Sequence, residues 1–194
     1  MYALVIDKQI TKYFNHPKGF TLGDLQYPKD IFTKWSVEEK QAIGLHEVVF
    51  DNSNKKDEQW YINTNQTFAF ANDTVTASYG TATAKAHADV TETIDGVEHT
   101  TPGLKTNLIR DLKVNVANEL ARTDWYITRK TEKSTAIPSA ISTHRDAVRT
   151  KQASMETAIK NAANTAALET LYTFTKQEDN TVTRPLGELP VLES

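Results

Sequence analysis

Two periods divide the chain. From Met1 to about residue 89 apolar and β-branched residues come in short runs broken by polar turns; from residue 104 they recur every three or four positions. Tyr2-Ala3-Leu4-Val5-Ile6, a turn at Asp7-Lys8-Gln9, and Ile10-Thr11-Lys12-Tyr13-Phe14 predict an opening hairpin. Ser36-Val37-Glu38-Glu39 has the form of a capping box, so a short helix is expected from about Val37 to Ile43, closed by Gly44. Trp35, just before it, is expected to pack into the core. Leu45–Phe50, Trp60–Ile62, Thr67–Ala71 and Thr74–Tyr79 read as further strands, the last two joined by a tight Asn72-Asp73 turn.

Residues 80–88 alternate small and polar groups and fit a strand or a helix. The stretch 90–103 is acidic, threonine-rich and broken by Gly96 and Pro102, which reads as a linker or exposed excursion. Beyond it Leu104, Leu108, Leu112, Val116 and Leu120 form one face of a helix of about five turns. Arg122 to Lys133 are expected to leave that helix through Asp124-Trp125-Tyr126. A second helix is predicted from near Pro138 to about Asn161, with Ile141, Val148 and Met155 seven apart, and a third, capped by Asn164, carrying Leu168 and Leu171. The prolines after Thr175 forbid further helix. The whole is an α+β chain. It has a β-rich N-terminal domain of short antiparallel strands and one short helix (1–89), the linker (90–103), a C-terminal helical hairpin (104–174) and an extended tail (175–194).

Composition narrows the chemistry. The chain of 194 residues has 39% hydrophobic and 24% charged residues, enough apolar surface for a core. It holds no run long and apolar enough for a membrane helix, and the first residues lack the features of a signal peptide. Cysteine is absent, which removes thiol nucleophiles, disulfides and thiolate metal sites. The net charge of −3 is uneven. Residues 1–103 carry 9 Lys and Arg against 14 Asp and Glu, residues 104–174 carry 11 against 7, and the tail 2 against 4. Such a split marks surfaces that meet complementary neighbours; a balance of +4 over the helical part is too mild to argue for nucleic acid.

The five histidines show no metal-ligand spacing, and His144, beside Arg145 and Arg149, reads as part of a solvated polar face. The paired carboxylates Glu38-Glu39, Asp57-Glu58 and Glu92-Asp95-Glu98 fall in a cap, a loop and a linker rather than a cleft. Asp51-Asn52-Ser53-Asn54 lacks the Gly and distal Glu of a calcium loop. No nucleophile elbow or phosphate loop occurs. The expectation is therefore no catalytic, cofactor or metal residue. Trp125 and Tyr126 interleave with Arg129, Lys130, Arg145 and Arg149, formally a nucleic-acid composition; pairing of the arginines with Asp124, Asp146 or Glu156 is the stronger reading.

One block goes beyond composition. Thr123-Asp124-Trp125-Tyr126-Ile127-Thr128-Arg129-Lys130, then Ala136-Ile137-Pro138, then Ser142 to Arg149 with Arg145, Val148 and Arg149, resembles a C-terminal helical module of tail-fibre-region proteins of tailed bacteriophages. The N-terminal stretch also looks like small phage structural proteins. The resemblance implies a non-enzymatic virion component, a tail-fibre or baseplate adaptor made in the host cytoplasm and localised to the tail. It would act through interfaces with other tail proteins and by self-association. The alternative it implies is a tail-fibre assembly chaperone absent from the mature virion. A glycan-degrading tail enzyme needs a carboxylate-lined groove that the sequence does not offer. The packing or interface residues expected from the block are Trp125, Tyr126, Asp124, Arg129, Arg145 and Arg149, with Trp125 a buried anchor and the arginines facing partners across a helical hairpin.

Overall fold

A two-residue turn at Asp7-Lys8, both with positive φ (50° and 61°), returns β1 (Tyr2–Ile6) into β2 (Gln9–Phe14). Such a turn matches the right-handed twist of the strands it joins. The fold is that of a computed structural model, which describes residues 1–192; the last two residues of the expected tail, 193 and 194, lie outside the described residues. The hairpin β3 (Phe20–Leu22) and β4 (Leu25–Tyr27) follows, then α1 (Ile31–Lys34) and α2 (Val37–Ala42). Two short helices thus stand where one was expected. The extra turn at Ile31 buries Ile31 and Phe32.

The capping box forms as its sequence implies: Glu39 N–H donates to Ser36 Oγ (3.1 Å) and Ser36 N–H to Glu39 Oε2 (2.8 Å). Gly44 ends this segment at φ 77°, where a Cβ would overlap the carbonyl oxygen of Val5. That close approach lets Val5 N–H donate to Gly44 O at 2.7 Å, fastening the helical segment to the first strand.

Strands β5 (Leu45–Asp51), β6 (Tyr61–Ile62), β7 (Thr67–Ala71), β8 (Thr74–Ser78) and β9 (Thr83–Ala84) come next. The main sheet has the order β2-β1-β5-β8-β7. Its pairs are antiparallel except β5 with β8, which run parallel from Val48↔Val75 to Asp51↔Ser78. This corrects the expectation of antiparallel strands alone. Between β5 and β8 the chain has the long segment 52–73, room for the crossover that a parallel neighbour needs and a tight turn cannot supply. Alternation along β1 serves two cores. Leu4 joins Phe14, Phe20, Ile31, Phe32 and Leu45, with Trp35 packed against them; Ala3 and Val5 join Val48, Val75 and Ala77 on the other face. Rings of Tyr13 on β2 and Phe68 on β7, 4.7 Å apart, draw the two sheet edges together.

Met1–Thr83 forms one compact unit and the remainder a second, so the division falls before residue 90 rather than within 90–103. The second unit begins with an element expected as irregular linker. Residues 90–101 are a β-hairpin, β10 (Val90–Ile94) and β11 (Val97–Thr101), turned by Asp95-Gly96 with φ 52° and 78°. Its register pairs Thr91 with Thr100, and their hydroxyls hydrogen-bond at 2.9 Å. The threonines that looked like linker composition are β-formers on a ribbon.

Helices α3 (Leu104–Ala121), α4 (Asp124–Lys133), α5 (Ser139–Asn161) and α6 (Thr165–Tyr172) complete the unit. Lys105 of α3 reaches Lys160 of α5, and Glu119 and Leu120 reach His144 and Arg145, so α3 and α5 run antiparallel. Leu112, Val116, Ile141, Val148, Met155, Ile159 and Leu168 are buried among them. The mixed architecture, with a β-rich N-terminal region and helices at the C-terminus, follows the hydrophobic periods. The tail is less extended than expected. It makes a small hairpin, β12 (Thr175–Lys176) with β13 (Val182–Thr183), and buries Leu186, whose carbonyl accepts from Lys151 Nζ at 2.9 Å. Arg184 lies over the Tyr172 and Phe174 rings and holds that return.

Candidate functional site

The block singled out in the sequence occupies the turn between α3 and α5. Residues 124–133, expected to leave the helix as an exit segment, form α4 instead. After Thr123 interrupts α3, the chain restarts as a helix with Asp124 in its first turn, Lys130 and Lys133 in its last, and Ser134 (φ 56°) as a left-handed cap. The charge order suits a helix dipole, a signal present in the sequence.

Arg145 ties the three helices together. It is 8% exposed, and its Nη1 donates to Leu120 O (2.8 Å), Thr123 Oγ1 (2.7 Å) and Asp124 Oδ1 (2.8 Å). Thr123, fully enclosed, donates its hydroxyl to Leu120 O at 3.0 Å. An arginine suits this place because its long stem packs in the core while the two N–H groups of Nη1 are shared among a carbonyl, a hydroxyl and a carboxylate. Beside it His144 is buried, its Nε2 3.1 Å from Glu119 Oε1, and Arg122 holds the other carboxylate oxygen of Glu119 at 3.0 Å. The expectation of a solvated polar face at His144 is therefore corrected. Ile141, His144, Arg145 and Val148 follow the i, i+3, i+4, i+7 spacing of the apolar stripe, which was the available signal. Glu119 and Thr123 were the residues missed.

Trp125 is also corrected. It is 53% exposed and anchors nothing in the core. Its ring lies 4.1 Å from that of Tyr126, and the Arg129 guanidinium sits over both, 4.6 Å and 5.3 Å from their centres. Trp125 and Arg129, one turn apart on α4, stack on each other. Arg129 Nε is enclosed without an acceptor. Arg149 stands apart: exposed, it pairs with Asp146 one turn back at 3.4 Å. Of the six expected residues, the structure thus gathers Asp124 with Arg145, and Trp125, Tyr126 and Arg129 in a second cluster on the same helix.

Among the described residues no three His, Asp or Glu side chains converge as metal ligands, and no helix is long and apolar enough to cross a membrane. No protein-family model, curated protein or solved structure matches the chain.

Proposed function

We propose that this protein is a non-enzymatic structural component of a bacteriophage tail, an adaptor in the tail-fibre or baseplate region that acts through protein–protein interfaces. The observation that carries the reading is the Trp125–Arg129–Tyr126 stack, displayed to solvent on a helix that Arg145 clamps in place. Tryptophan, tyrosine and arginine are the residues that dominate binding energy at interfaces. A large aromatic held rigid before binding loses little entropy when a partner covers it. The tail context rests on the resemblance of the Asp124-Trp125-Tyr126…Arg145…Arg149 block to phage tail-region modules.

Mass spectrometry of purified virions tests the proposal. Stoichiometric copies in the particle, lost with Trp125→Ala although the variant folds, are the expected result. A chain found bound to fibre subunits in lysates but missing from particles would make it an assembly chaperone instead. Envelope-glycan cleavage abolished by a single carboxylate substitution would replace the structural role with an enzymatic one.

A further inference from the structure

The β10–β11 hairpin is an arm built for a partner. Cross-strand pairs place Val90, Glu92 and Ile94 with Val97 and His99 on one face, and Thr91, Thr93, Glu98 and Thr100 on the other. All ten strand residues are exposed, and Val90, Ile94 and Val97 remain 41%, 54% and 56% accessible. A lone two-stranded ribbon with an uncovered apolar face is marginal in water. This one is secured at its root. Asp89 Oδ1 accepts from Gly103 N–H (2.8 Å) and Thr106 Oγ1 (2.6 Å), and Leu104 and Lys105 N–H donate to the Ala86 and His87 carbonyls. A Cβ at Gly103 would overlap the Ala88 carbonyl, so the two legs of the arm meet there as closely as backbones can.

We propose that copies of this chain join head to tail, the apolar face of one copy's hairpin covering the outer face of α4 in the next. The proposal rests on α4 being an interaction surface and adds what occupies it. Trp125, Tyr126, Arg129, Lys130 and Lys133, at i, i+1, i+4, i+5 and i+8, share one side of α4. That side offers two rings and three cations, with the single carboxylate Glu132 at its edge next to Trp125. The apolar face of the hairpin offers three aliphatic side chains and the carboxylate of Glu92, with Asp95 at the turn beside it and no Lys or Arg between residues 90 and 103. Opposite charge around an apolar centre is the arrangement that steers and registers a specific contact.

Position favours a second copy. The arm is rooted at the start of α3, and α4 begins just past its end, ~27 Å away at 1.5 Å per residue. Donor and acceptor therefore lie at opposite ends of one rigid helix, the requirement for a heterologous contact that repeats into a ring or filament. Two hairpins meeting by their apolar faces would instead bring like carboxylates, Glu92 and Asp95 of each copy, together. The contact is small, so each is weak and sensitive to salt.

Sedimentation velocity of the full chain decides it. Wild type is expected to form oligomers that grow with concentration and dissociate in high salt. Glu92→Lys with Ile94→Lys, and separately Lys130→Glu with Lys133→Glu, alter exposed positions only; each double variant is expected to be monomeric with an unchanged circular dichroism spectrum. Mixed in equal amounts, the two variants should associate again, each supplying the surface the other lost. A monomeric wild type overturns the proposal, as does a mixture that stays monomeric. Wild-type association in the α4 variant overturns it in favour of hairpin–hairpin pairing. A monomeric wild type that still enters virions, and loses entry with Trp125→Ala, sinks the head-to-tail contact alone and leaves the tail-adaptor reading standing.

Discussion

Replacing Arg145 by Met keeps most of the stem and removes the guanidinium. What is lost is the two N–H groups of Nη1, shared among three acceptors of which Leu120 O and Thr123 Oγ1 are neutral. Hydrogen bonds from a charged donor contribute about 1.5 kcal/mol each at the low end, so these two amount to about 3 kcal/mol. The pair with Asp124 adds little, at most about 0.5 kcal/mol, because its carboxylate is 60% exposed and screened by water. Leu120 O keeps the N–H and O–H of Thr123, and Thr123 Oγ1 loses its donor but still donates to Leu120 O. Relief from burying a charge returns about 1 kcal/mol. The net cost is about 2–3 kcal/mol. With a urea dependence of about 2 kcal/mol per molar, the unfolding midpoint of the helical unit should fall by about 1 M, followed by far-ultraviolet circular dichroism. Asp124→Ala removes the exposed pair and a first-turn carboxylate and should cost only about 1 kcal/mol. An Asp124→Ala loss equal to or larger than that of Arg145→Met would refute the reasoning. It would mean that the carboxylate, rather than the enclosed carbonyl and hydroxyl, holds the arginine.

Trp125→Ala should lower stability by only about 1 kcal/mol, the stacking with Arg129 and little else, against the 3–5 kcal/mol of a core tryptophan; a thermal melt separates the two. Gly44→Ala forces an L side chain into φ 77° against the Val5 carbonyl, and should cost more than about 1 kcal/mol in urea titration of the β-rich unit. Asp89 is held below the ordinary carboxylate range, first by the Thr106 hydroxyl and then by the Gly103 N–H. Its folded pKa being depressed, the support it lends the arm's root is complete above the usual carboxylate range and disappears as pH falls through the lowered value. The Gly103 amide chemical shift should report that transition, and Asp89→Asn should abolish it.

Local chemistry made much of the fold legible. The Ser36–Glu39 capping box, the left-handed stop at Gly44, the Asn164 cap and the Asn72-Asp73 turn each depend on residues a few positions apart, so the sequence contains both partners. The stripes Leu112–Val116 and Ile141–Val148–Met155 marked the antiparallel helix pair for the same reason. The hairpin at 90–101 was concealed because its threonines and glycine resemble linker composition; the cross-strand register that makes it a ribbon is a pairing, not a pattern.

What only tertiary structure decided concerns residues whose partners are distant in sequence. The parallel β5–β8 pairing depends on where the intervening segment carries the chain. Whether Trp125 lies inside or outside, and whether His144 and Arg145 face water or the core, depends on one event: the break at Thr123 that turns 124–133 into a helix of its own. That turn rotates the tryptophan outward and leaves the arginine to fill the junction with its charge satisfied. Amphipathic period assigns a residue to a face of its helix. Only the crossing of helices from distant parts of the chain determines what that face meets, because burial is a property of the assembled surfaces and not of the strand or helix that carries the side chain.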